Sequence, residues 1–222
     1  MQKNKIACIS DIHLGVHQDS QLWHKLHLDL AQWLKVTLHK EGIKRLLIAG
    51  DVFHNRHEVN VATLHTAKLF FDALKDFEID VITGNHDCYY RDNSNINSIS
   101  ILNNSDNVRV HETHSTFVFN GKKFALCPWG TELQDIPKCD VVVGHFELLN
   151  FKMNGSIYCD HGWESGSVLE QCKIILTGHF HTRQQRVYEG GKTVLYTGSP
   201  MQLDWGDREG SKGITILDTD TM

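Results

Sequence analysis

The stretch KIILTGHFHTR, residues 173–183, is an apolar run that stops at a glycine and two histidines spaced one residue apart. A short apolar run bounded by turn residues predicts a buried strand. In an extended backbone, the side chains at positions i and i+2 point to the same side. His179 and His181 are therefore predicted to reach into one cavity, and imidazole is the commonest metal ligand.

Outward from this stretch, the first half of the chain alternates apolar runs with helical patterns. Residues 5–10, 45–50 and 80–84 are predicted to form buried parallel strands. A helix capped by Asp19 or Ser20 is predicted between the first two, and one capped by Asn60 before the third. The order βαβαβ implies right-handed crossovers and helices that cover a mostly parallel sheet. Leucines of the first helix recur every four residues, at Leu22, Leu26, Leu30, Leu34 and Leu38.

The second half contains short strands with few helical patterns between them. Asn120 and Gly121 predict a hairpin turn. We predict a second, more antiparallel sheet, built from residues 108–217 and packed against the first. The fold class is then α/β, a layered sandwich. Because no repeat or linker interrupts the pattern, we expect a single domain over residues 1–222.

Composition limits the classes of function. A net charge of −5 argues against a protein that binds DNA through charge alone, although metal ions could still hold a nucleic-acid substrate. The six cysteines are scattered without a C-x-x-C pair, so we expect free, mostly buried thiols. No early segment is typical of a signal peptide and no run is long enough to span a membrane. We therefore expect a cytoplasmic protein.

The chain has 15 histidines, which favours a metal site. The alternative for each histidine is an exposed position without a ligand role. We predict that alternative for His24, His27, His39, His65, His111, His114 and His161.

Five apolar runs end in carboxylate, amide or imidazole groups. Ligands of open α/β sheets bind beyond the carboxyl ends of the strands, so these side chains are predicted to converge. Each motif alone is weak, because a single polar residue at a strand end is more often a cap than a ligand. The set is specific. Its members are Asp11 and His13, Asp51 and His54, Asn85 with His86 and Asp87, His145, and His179 with His181.

This donor set exceeds the needs of one ion. Mixed nitrogen and oxygen ligands suit manganese, iron or zinc. A carboxylate shared by two ions can hold them about 3.5–4 Å apart, where they stabilise both the attacking and the leaving oxygen of a phosphoryl displacement. Asp51, from the middle strand, is the predicted bridge.

The ordered motifs D-x-H, GD-x-x-H, GNHD, GH and GH-x-H resemble the calcineurin-like metallophosphoesterases over nearly the whole chain. Within that superfamily the chain is similar to the DNA double-strand-break repair nucleases of SbcD type, and most to the phage recombination endonuclease subunit. DIHLG at 11–15, GDVFH at 50–54 and YTGSPMQLDWGD at 196–207 carry this likeness. The resemblance implies an αββα sandwich of two mixed β-sheets flanked by helices.

The resemblance also implies roles for the site residues. One metal would be held by Asp11, His13, Asp51 and His181, and the other by Asp51, Asn85, His145 and His179. The expected cofactors are two divalent ions, Mn²⁺ first, with Mg²⁺, Fe²⁺ or Zn²⁺ as alternatives.

Three further residues receive catalytic roles from the resemblance. His86 would face the substrate and stabilise its charge or protonate the leaving 3′ oxygen. Asp87 would hold the His86 ring or, alternatively, only end the turn. His54 would lie near the scissile phosphate, with an exposed position as the alternative.

Other residues remain ambiguous. His17 and His57 are predicted to be solvated loop residues. Arg183 and Arg186 either touch a DNA backbone or are solvated. Ser199 and Pro200 form either a rim of the site or a simple turn.

Relatives continue into a DNA-capping region and a segment that binds an SMC-like ATPase, and we expect both to be absent from this chain, which ends at Met222. The resemblance suggests a homodimer joined through helices. The predicted function is a dinuclear DNA phosphodiesterase, an exonuclease with single-strand endonuclease activity as a further option, in recombination and repair. The alternatives are a phosphatase or cyclic-nucleotide phosphodiesterase and, ranked last, a non-catalytic scaffold.

Overall fold

The computed structural model describes residues 4–91, 93–208 and 210–222, apart from the side chain of Asn104. The first sheet has five strands in the order β13-β1-β2-β3-β4. All neighbours are parallel except β13, which pairs antiparallel with β1. The bounds are β1 Lys5–Ile9, β2 Arg45–Ala49, β3 Glu78–Ile82, β4 Val108–His111 and β13 Thr215–Asp218.

Helices cover the outer face of this sheet. A single turn, α1 (Val16–Asp19), precedes the long helix α2 (Gln21–Lys40), and α3 (Val61–Ala73) follows β2. Leu30, Leu34 and Leu38 pack into the core as predicted, whereas Leu22, near the start of α2, is 63% exposed. Asn60 caps α3 as predicted, since its side chain accepts a hydrogen bond from the Thr63 amide at 3.0 Å.

The second sheet is less antiparallel than predicted. Its order is β11-β12-β10-β7-β6-β5, in which the four central strands are parallel and only the two edge strands pair antiparallel. A short turn between two neighbouring strands makes them pair antiparallel. In this sheet, short turns connect β5 to β6 and β11 to β12, which are the two pairs at the edges. The hairpin at Asn120 and Gly121 is one of them, with φ of 49° and 74°. The bounds are β5 Ser115–Phe119, β6 Lys122–Cys127, β7 Val141–His145, β10 Ile174–Gly178, β11 Gln184–Val187 and β12 Thr193–Tyr196.

Two segments assigned to the second sheet belong to the first. β4 and β13 extend the parallel sheet at its two edges. The pattern of apolar residues within a strand predicts which face is buried, but not which neighbour it will pair with. The prediction was therefore right that β4 and β13 are strands and wrong about the sheet in which they pair.

The two sheets face each other across a shared apolar core. Residues of both inner faces, such as Leu47 and Val143, form this layer. The outer face of the second sheet is covered by the short helix α4 (Ser165–Leu169), by β8 (Lys152–Asn154) and β9 (Ile157–Tyr158), and by loops. The predicted layered αββα sandwich of two mixed sheets is confirmed, with a thinner helical layer on the second side.

Histidines and cysteines mostly lie where expected. The cysteines are free thiols, and all but the partly buried Cys139 are buried. His27 corrects the surface prediction, because it is fully buried and its ring nitrogens bond the carbonyls of Trp23 and Ile12 at 2.7 and 2.9 Å. His111 is partly buried and bonds Asp80 at 2.9 Å. Among the described helices, none is long and apolar enough to cross a membrane.

Candidate metal centre

The predicted site residues follow the carboxyl ends of five strands from both sheets. Asp11, Asp51 and Asn85 lie just beyond β1, β2 and β3, His145 ends β7, and His179 directly follows β10. Parallel strands place their carboxyl ends at one edge, and the packing of the sheets brings the two edges together. The predicted convergence is therefore present.

The backbone is strained where these ligands leave the strands. A positive φ is unusual for a residue other than glycine, and such strain clusters at functional sites. The prediction that His179 and His181 extend from a regular strand is corrected here, because the chain turns at His179. Four predicted ligands have positive φ: Asp11 at 55°, His13 at 52°, Asp51 at 55° and His179 at 90°.

One cluster contains Asp51, Asn85, His145 and His179. The Nδ1 atom of His145 donates to the carbonyl of Ala49 at 2.7 Å, so its Nε2 is the nitrogen that faces the cluster. This Nε2 lies 3.0 Å from Asn85 Oδ1 and 3.4 Å from Asp51 Oδ2. His179 Nδ1 lies 2.9 Å from the same Asn85 oxygen. Nitrogen and oxygen atoms of four side chains that can bind a metal therefore face one another.

A second cluster contains Asp11, His13 and His181. The Nε2 atoms of His13 and His181 lie 3.1 Å apart, and the ligand atoms of all three residues lie within 4.8 Å of one another. The carboxylate of Asp11 also accepts the backbone amide of His179 at 3.1 Å. This bond ties the second cluster to the first.

Asp51 lies between the clusters. Its Oδ2 is 3.4 Å from His145 Nε2 in one cluster and 3.6 Å from His13 Nε2 in the other. Its Oδ1 accepts the backbone amide of His86 at 2.8 Å, which fixes the carboxylate. Gly84 permits this approach, because a Cβ there would collide with the Asp51 carboxylate. The geometry suits the predicted bridging role.

Burial and crowding shift the pKa values of the cluster. Burial by itself would raise the pKa of Asp51, but the nearby charges and hydrogen bond of His145 and the charge of His13 hold it far below its usual range. Burial by itself would lower the pKa of His145, but the charge and hydrogen bond of Asp51, with the charge of Asp11 and the Ala49 carbonyl, together raise it to about 9. The pKa of His13 is lowered well below its usual value, first by burial and then by the imidazoles around it. An ionised Asp51 and a neutral His13 are the forms in which these two side chains bind a cation.

His86 and His54 lie beside the two clusters. The Nδ1 of His86 donates to the His54 carbonyl at 2.7 Å, which leaves Nε2 free of that bond. The rings of His54 and His86 stack with centroids 5.7 Å apart, and His13 lies 4.9 Å from His86. Burial first, and then the charge of His86, lowers the pKa of His54. Both residues are placed to meet a substrate bound at the centre.

Asp87 does not hold the His86 ring in the described part of the chain. Its carboxylate accepts the amides of Phe53 at 3.0 Å and Gly84 at 2.9 Å. Burial and then the charge of Asp51 raise the pKa of Asp87 to about 7. The alternative assignment, in which Asp87 fixes the turn, therefore matches the geometry, because these two amides occupy the carboxylate.

Two carboxylates near the centre were missed by the sequence reasoning. Glu147 Oε1 lies 3.1 Å from His179 Nε2, and Asp207 Oδ2 lies 3.3 Å from His181 Nδ1. Each carboxylate holds the outer nitrogen of a predicted ligand and so directs the inner nitrogen into the cluster. Glu147 is two residues after His145, and Asp207 ends the YTGSPMQLDWGD stretch, so both lay within segments already singled out.

The ambiguous residues take definite positions. Ser199 is buried, and Lys212 donates to it at 2.7 Å beside Asp207, so this turn supports the site from behind. Arg183 donates to Thr215 at 2.6 Å, and Arg186 donates to the Asn150 carbonyl at 2.5 Å. Both arginines are thus engaged within the protein. His17 is exposed but stacks on Trp23, and His57 is exposed beside Tyr89.

Comparison with known families agrees with this geometry. The family profile of the calcineurin-like phosphoesterases matches residues 4–183. The chain belongs to the calcineurin-like phosphoesterase family. Every predicted ligand lies within the matched residues, whereas Asp207 lies beyond them.

Relatives of this calcineurin-like phosphoesterase include a nuclease subunit. Exonuclease subunit 1 of Enterobacteria phage T4 is 30% identical over 228 residues, which cover 98% of this chain and 65% of that protein. The predicted resemblance to the phage nuclease is confirmed by this match. The chain spans just 65% of the length of this relative.

Solved structures share the fold at low identity. A dimetal phosphatase from Danio rerio has a TM-score of 0.58 at 11% identity, covering 89% of this chain and 88% of that one. The phosphopantetheinyl hydrolase of Mycobacterium tuberculosis has a TM-score of 0.54 at 14% identity, covering 96% and 95%. These likenesses show the fold alone.

The family fold implies a pair of divalent metals, and the donor set of this calcineurin-like phosphoesterase fits them. The Nε2 of His145 faces the oxygens of Asp51 and Asn85, and the raised pKa of this imidazole shows that a positive charge is favoured there. Only a proton or a cation placed there makes this arrangement favourable. The mixed nitrogen and oxygen set suits first-row divalent ions.

Proposed function

We propose that this protein is a dinuclear metal-dependent DNA phosphodiesterase. It acts as an exonuclease, with single-strand endonuclease activity as a second mode. The observation that carries the proposal is the position of Asp51, whose Oδ2 faces histidines of both clusters, at 3.4 and 3.6 Å. One carboxylate between two sets of ligands is the arrangement that phosphoryl displacement by two metals requires.

The ligand roles follow the two clusters. Asp11, His13 and His181 hold one ion, Asn85, His145 and His179 hold the other, and Asp51 contributes to both. When bound, the ions supply charge to stabilise the phosphate oxygens and lower the pKa of a water molecule. Mn²⁺ is the proposed metal, since carboxylate, amide and imidazole donors all suit it.

His86 is the proposed general acid. Its Nδ1–H is committed to the His54 carbonyl, so only Nε2 can face the substrate. In the imidazolium form, Nε2–H donates its proton to the 3′ oxygen as the P–O bond breaks. His54, stacked beside it, is proposed to line the position of the scissile phosphate.

The DNA substrate is supported by the relative named as an exonuclease subunit. A subunit implies a partner, and we propose an SMC-like ATPase in a recombination and double-strand-break repair complex. Such a partner would supply basic surface that a chain of net charge −5 lacks. The proposed compartment is the cytoplasm, the host cell cytoplasm if a phage encodes the chain.

A homodimer through the helices is proposed from the exposed apolar side chains of α2 and α3. Val36 is 66% exposed and Val61 is 82% exposed, and Leu22 and Trp33 of α2 are exposed as well. We propose that these side chains meet those of a second copy.

The second candidate is a phosphatase or cyclic-nucleotide phosphodiesterase that acts on a small substrate. The acidic net charge favours it, because a small substrate needs no extended basic surface. A scaffold without activity ranks last, since all the predicted ligands are present.

The deciding experiment compares end-labelled single-stranded and duplex DNA with a small phosphomonoester. Each substrate is incubated with the protein in manganese, magnesium, zinc or chelator. Manganese-dependent DNA cleavage with weak phosphomonoester hydrolysis is the expected result. Rapid hydrolysis of the small ester without DNA cleavage would instead establish the second candidate.

A further inference from the structure

Two clefts open beside the metal centre, and apart from His54, His86 and the metal ligand His145, the function proposed above gives their lining residues no role. The tryptophan cleft has a volume of about 300 Å³ and is lined by Arg91, Trp129, Glu132, Glu147 and Trp163 among others. The arginine cleft has a volume of about 310 Å³ and is lined by His54, Arg56, His57, His86, Tyr89 and Arg91, with Asn55. Arg91 borders both clefts.

The tryptophan cleft reaches the ligands directly. The Trp129 ring lies 5.4 Å from the His179 ring and 6.1 Å from the His145 ring. Its Nε1–H donates to the Arg91 carbonyl at 2.9 Å, so the orientation of the indole is fixed. A molecule on Trp129 is therefore adjacent to a phosphate at the centre.

Trp163 supplies a second aromatic surface in the same cleft. Its ring packs on Phe146 at 5.4 Å, and its backbone amide donates to the Glu147 carbonyl at 3.0 Å. Both contacts anchor it to the segment that carries His145. The two tryptophans thus present partly exposed rings from positions held by the metal site itself.

Charge distinguishes the two clefts. The tryptophan cleft contains the carboxylates of Glu132 and Glu147, which repel a phosphate but accept hydrogen bonds from amino groups of a nucleobase. Among the described residues that line the arginine cleft, none has a carboxylate. Within the described residues, neither Arg56 nor Arg91 forms an ion pair with a carboxylate. These two guanidinium groups remain available to a phosphate.

We propose that the tryptophan cleft is a nucleobase subsite and that the arginine cleft holds the phosphates of the same strand. The base lies against Trp129 and Trp163, and the backbone passes Arg91 toward Arg56. Stacking on an indole accepts every base, because each has a π-face. The subsite rests on the proposed nuclease function and extends it, since it makes a single-stranded or unpaired nucleotide the substrate of the centre.

The test compares two single-stranded oligomers of roughly eight nucleotides, the length that such grooves hold. One has normal bases and the other has abasic residues on the same backbone. Binding is measured by fluorescence anisotropy, with calcium in place of manganese and again with chelator. The wild-type protein is expected to bind the normal oligomer about tenfold more tightly than the abasic one.

The ratio of the two affinities is expected to fall to near one in Trp129→Ala, whereas Trp129→Phe should keep most of the preference for the normal oligomer. These two results together would establish the stacking contact. Trp205→Ala is the matched control, because Trp205 is 87% exposed and lines neither cleft. Arg56→Gln is expected to weaken the binding of both oligomers by the same factor, because both have the same phosphates. The subsite is refuted if the wild-type protein binds both oligomers equally or binds neither. It is also refuted if Trp129→Ala keeps the wild-type ratio of affinities.

Cleavage of the same oligomers in manganese keeps the two proposals separable. Cleavage of DNA with no preference for bases would refute the subsite and leave the nuclease assignment intact. A base preference in binding that depends on Trp129, without cleavage of any DNA, would refute the nuclease and leave a nucleotide-binding cleft.

Discussion

The Nδ1 atom of His145 lies 2.7 Å from the carbonyl oxygen of Ala49. Ala49 ends β2 in the first sheet and His145 ends β7 in the second, so this bond joins the two sheets at the metal centre. It also fixes which nitrogen of His145 faces Asp51. Fold and chemistry are therefore coupled through one hydrogen bond, and substitutions at this edge are expected to change metal binding before they change the fold.

Asp51→Asn is expected to lower the number of bound metals from two per chain and to abolish phosphodiester hydrolysis. The amide removes the negative charge that both clusters share. Metal content after dialysis, measured by mass spectrometry, checks the first effect. Asp72→Asn is the control, since Asp72 is an exposed carboxylate paired with Lys68. Two retained metals in Asp51→Asn would refute the bridging role.

Asp207→Asn is expected to weaken binding of one metal by about 10- to 100-fold without unfolding the protein. The substitution removes the carboxylate that holds His181 Nδ1 at 3.3 Å. Calorimetric titration with Mn²⁺ measures the affinity. Asp160→Asn serves as control, because the Asp160 side chain is 95% exposed. Equal affinities in the two variants would show that Asp207 does not position His181.

His86→Ala is expected to lower kcat on DNA by about 10²- to 10⁴-fold while both metals remain bound. The kcat on a p-nitrophenyl diester of thymidine phosphate is expected to fall much less, because the nitrophenolate leaving group departs without a proton. The comparison of the two substrates separates proton donation from simple charge stabilisation. His65→Ala, at an exposed position of α3, is the matched control. An equal loss on both substrates contradicts the general-acid role.

Asp80→Asn tests a buried ion pair that includes none of the predicted metal ligands. Asp80 bonds Arg45 Nε at 2.7 Å and His111 Nε2 at 2.9 Å. Burial would raise the pKa of Asp80, but these partners outweigh burial and lower it. A lowered folded-state pKa contributes stability above the unfolded-state pKa of about 3.9, and this contribution is lost as the pH falls through the folded-state value.

The variant is therefore expected to lose about 3 kcal/mol of unfolding free energy at neutral pH, and progressively less relative to wild type below about pH 4. Urea denaturation at several pH values measures both effects. The exposed Asp72→Asn variant should change the free energy by less than about 0.5 kcal/mol. A loss that does not vary with pH would show that packing, not charge, is what Asp80 contributes.

The sequence by itself determined the strands that carry the ligands and the edge at which they end. Apolar runs followed by glycine, carboxylate, amide or imidazole are local patterns, and parallel strands place such ends together whatever their partners. That is why Asp11, Asp51, Asn85, His145 and His179 could be assigned to one centre from the sequence.

Only the tertiary structure decided the pairing of β4 and β13, the turn at His179 and the carboxylates behind the ligands. Glu147 and Asp207 reach His179 and His181 through space, from positions that no periodicity predicts. The tautomer of His145 likewise depends on a carbonyl in the other sheet. Local sequence patterns determine which face of a strand is buried. Contacts between distant residues depend instead on how complete layers pack, and the clefts beside the centre result from that packing.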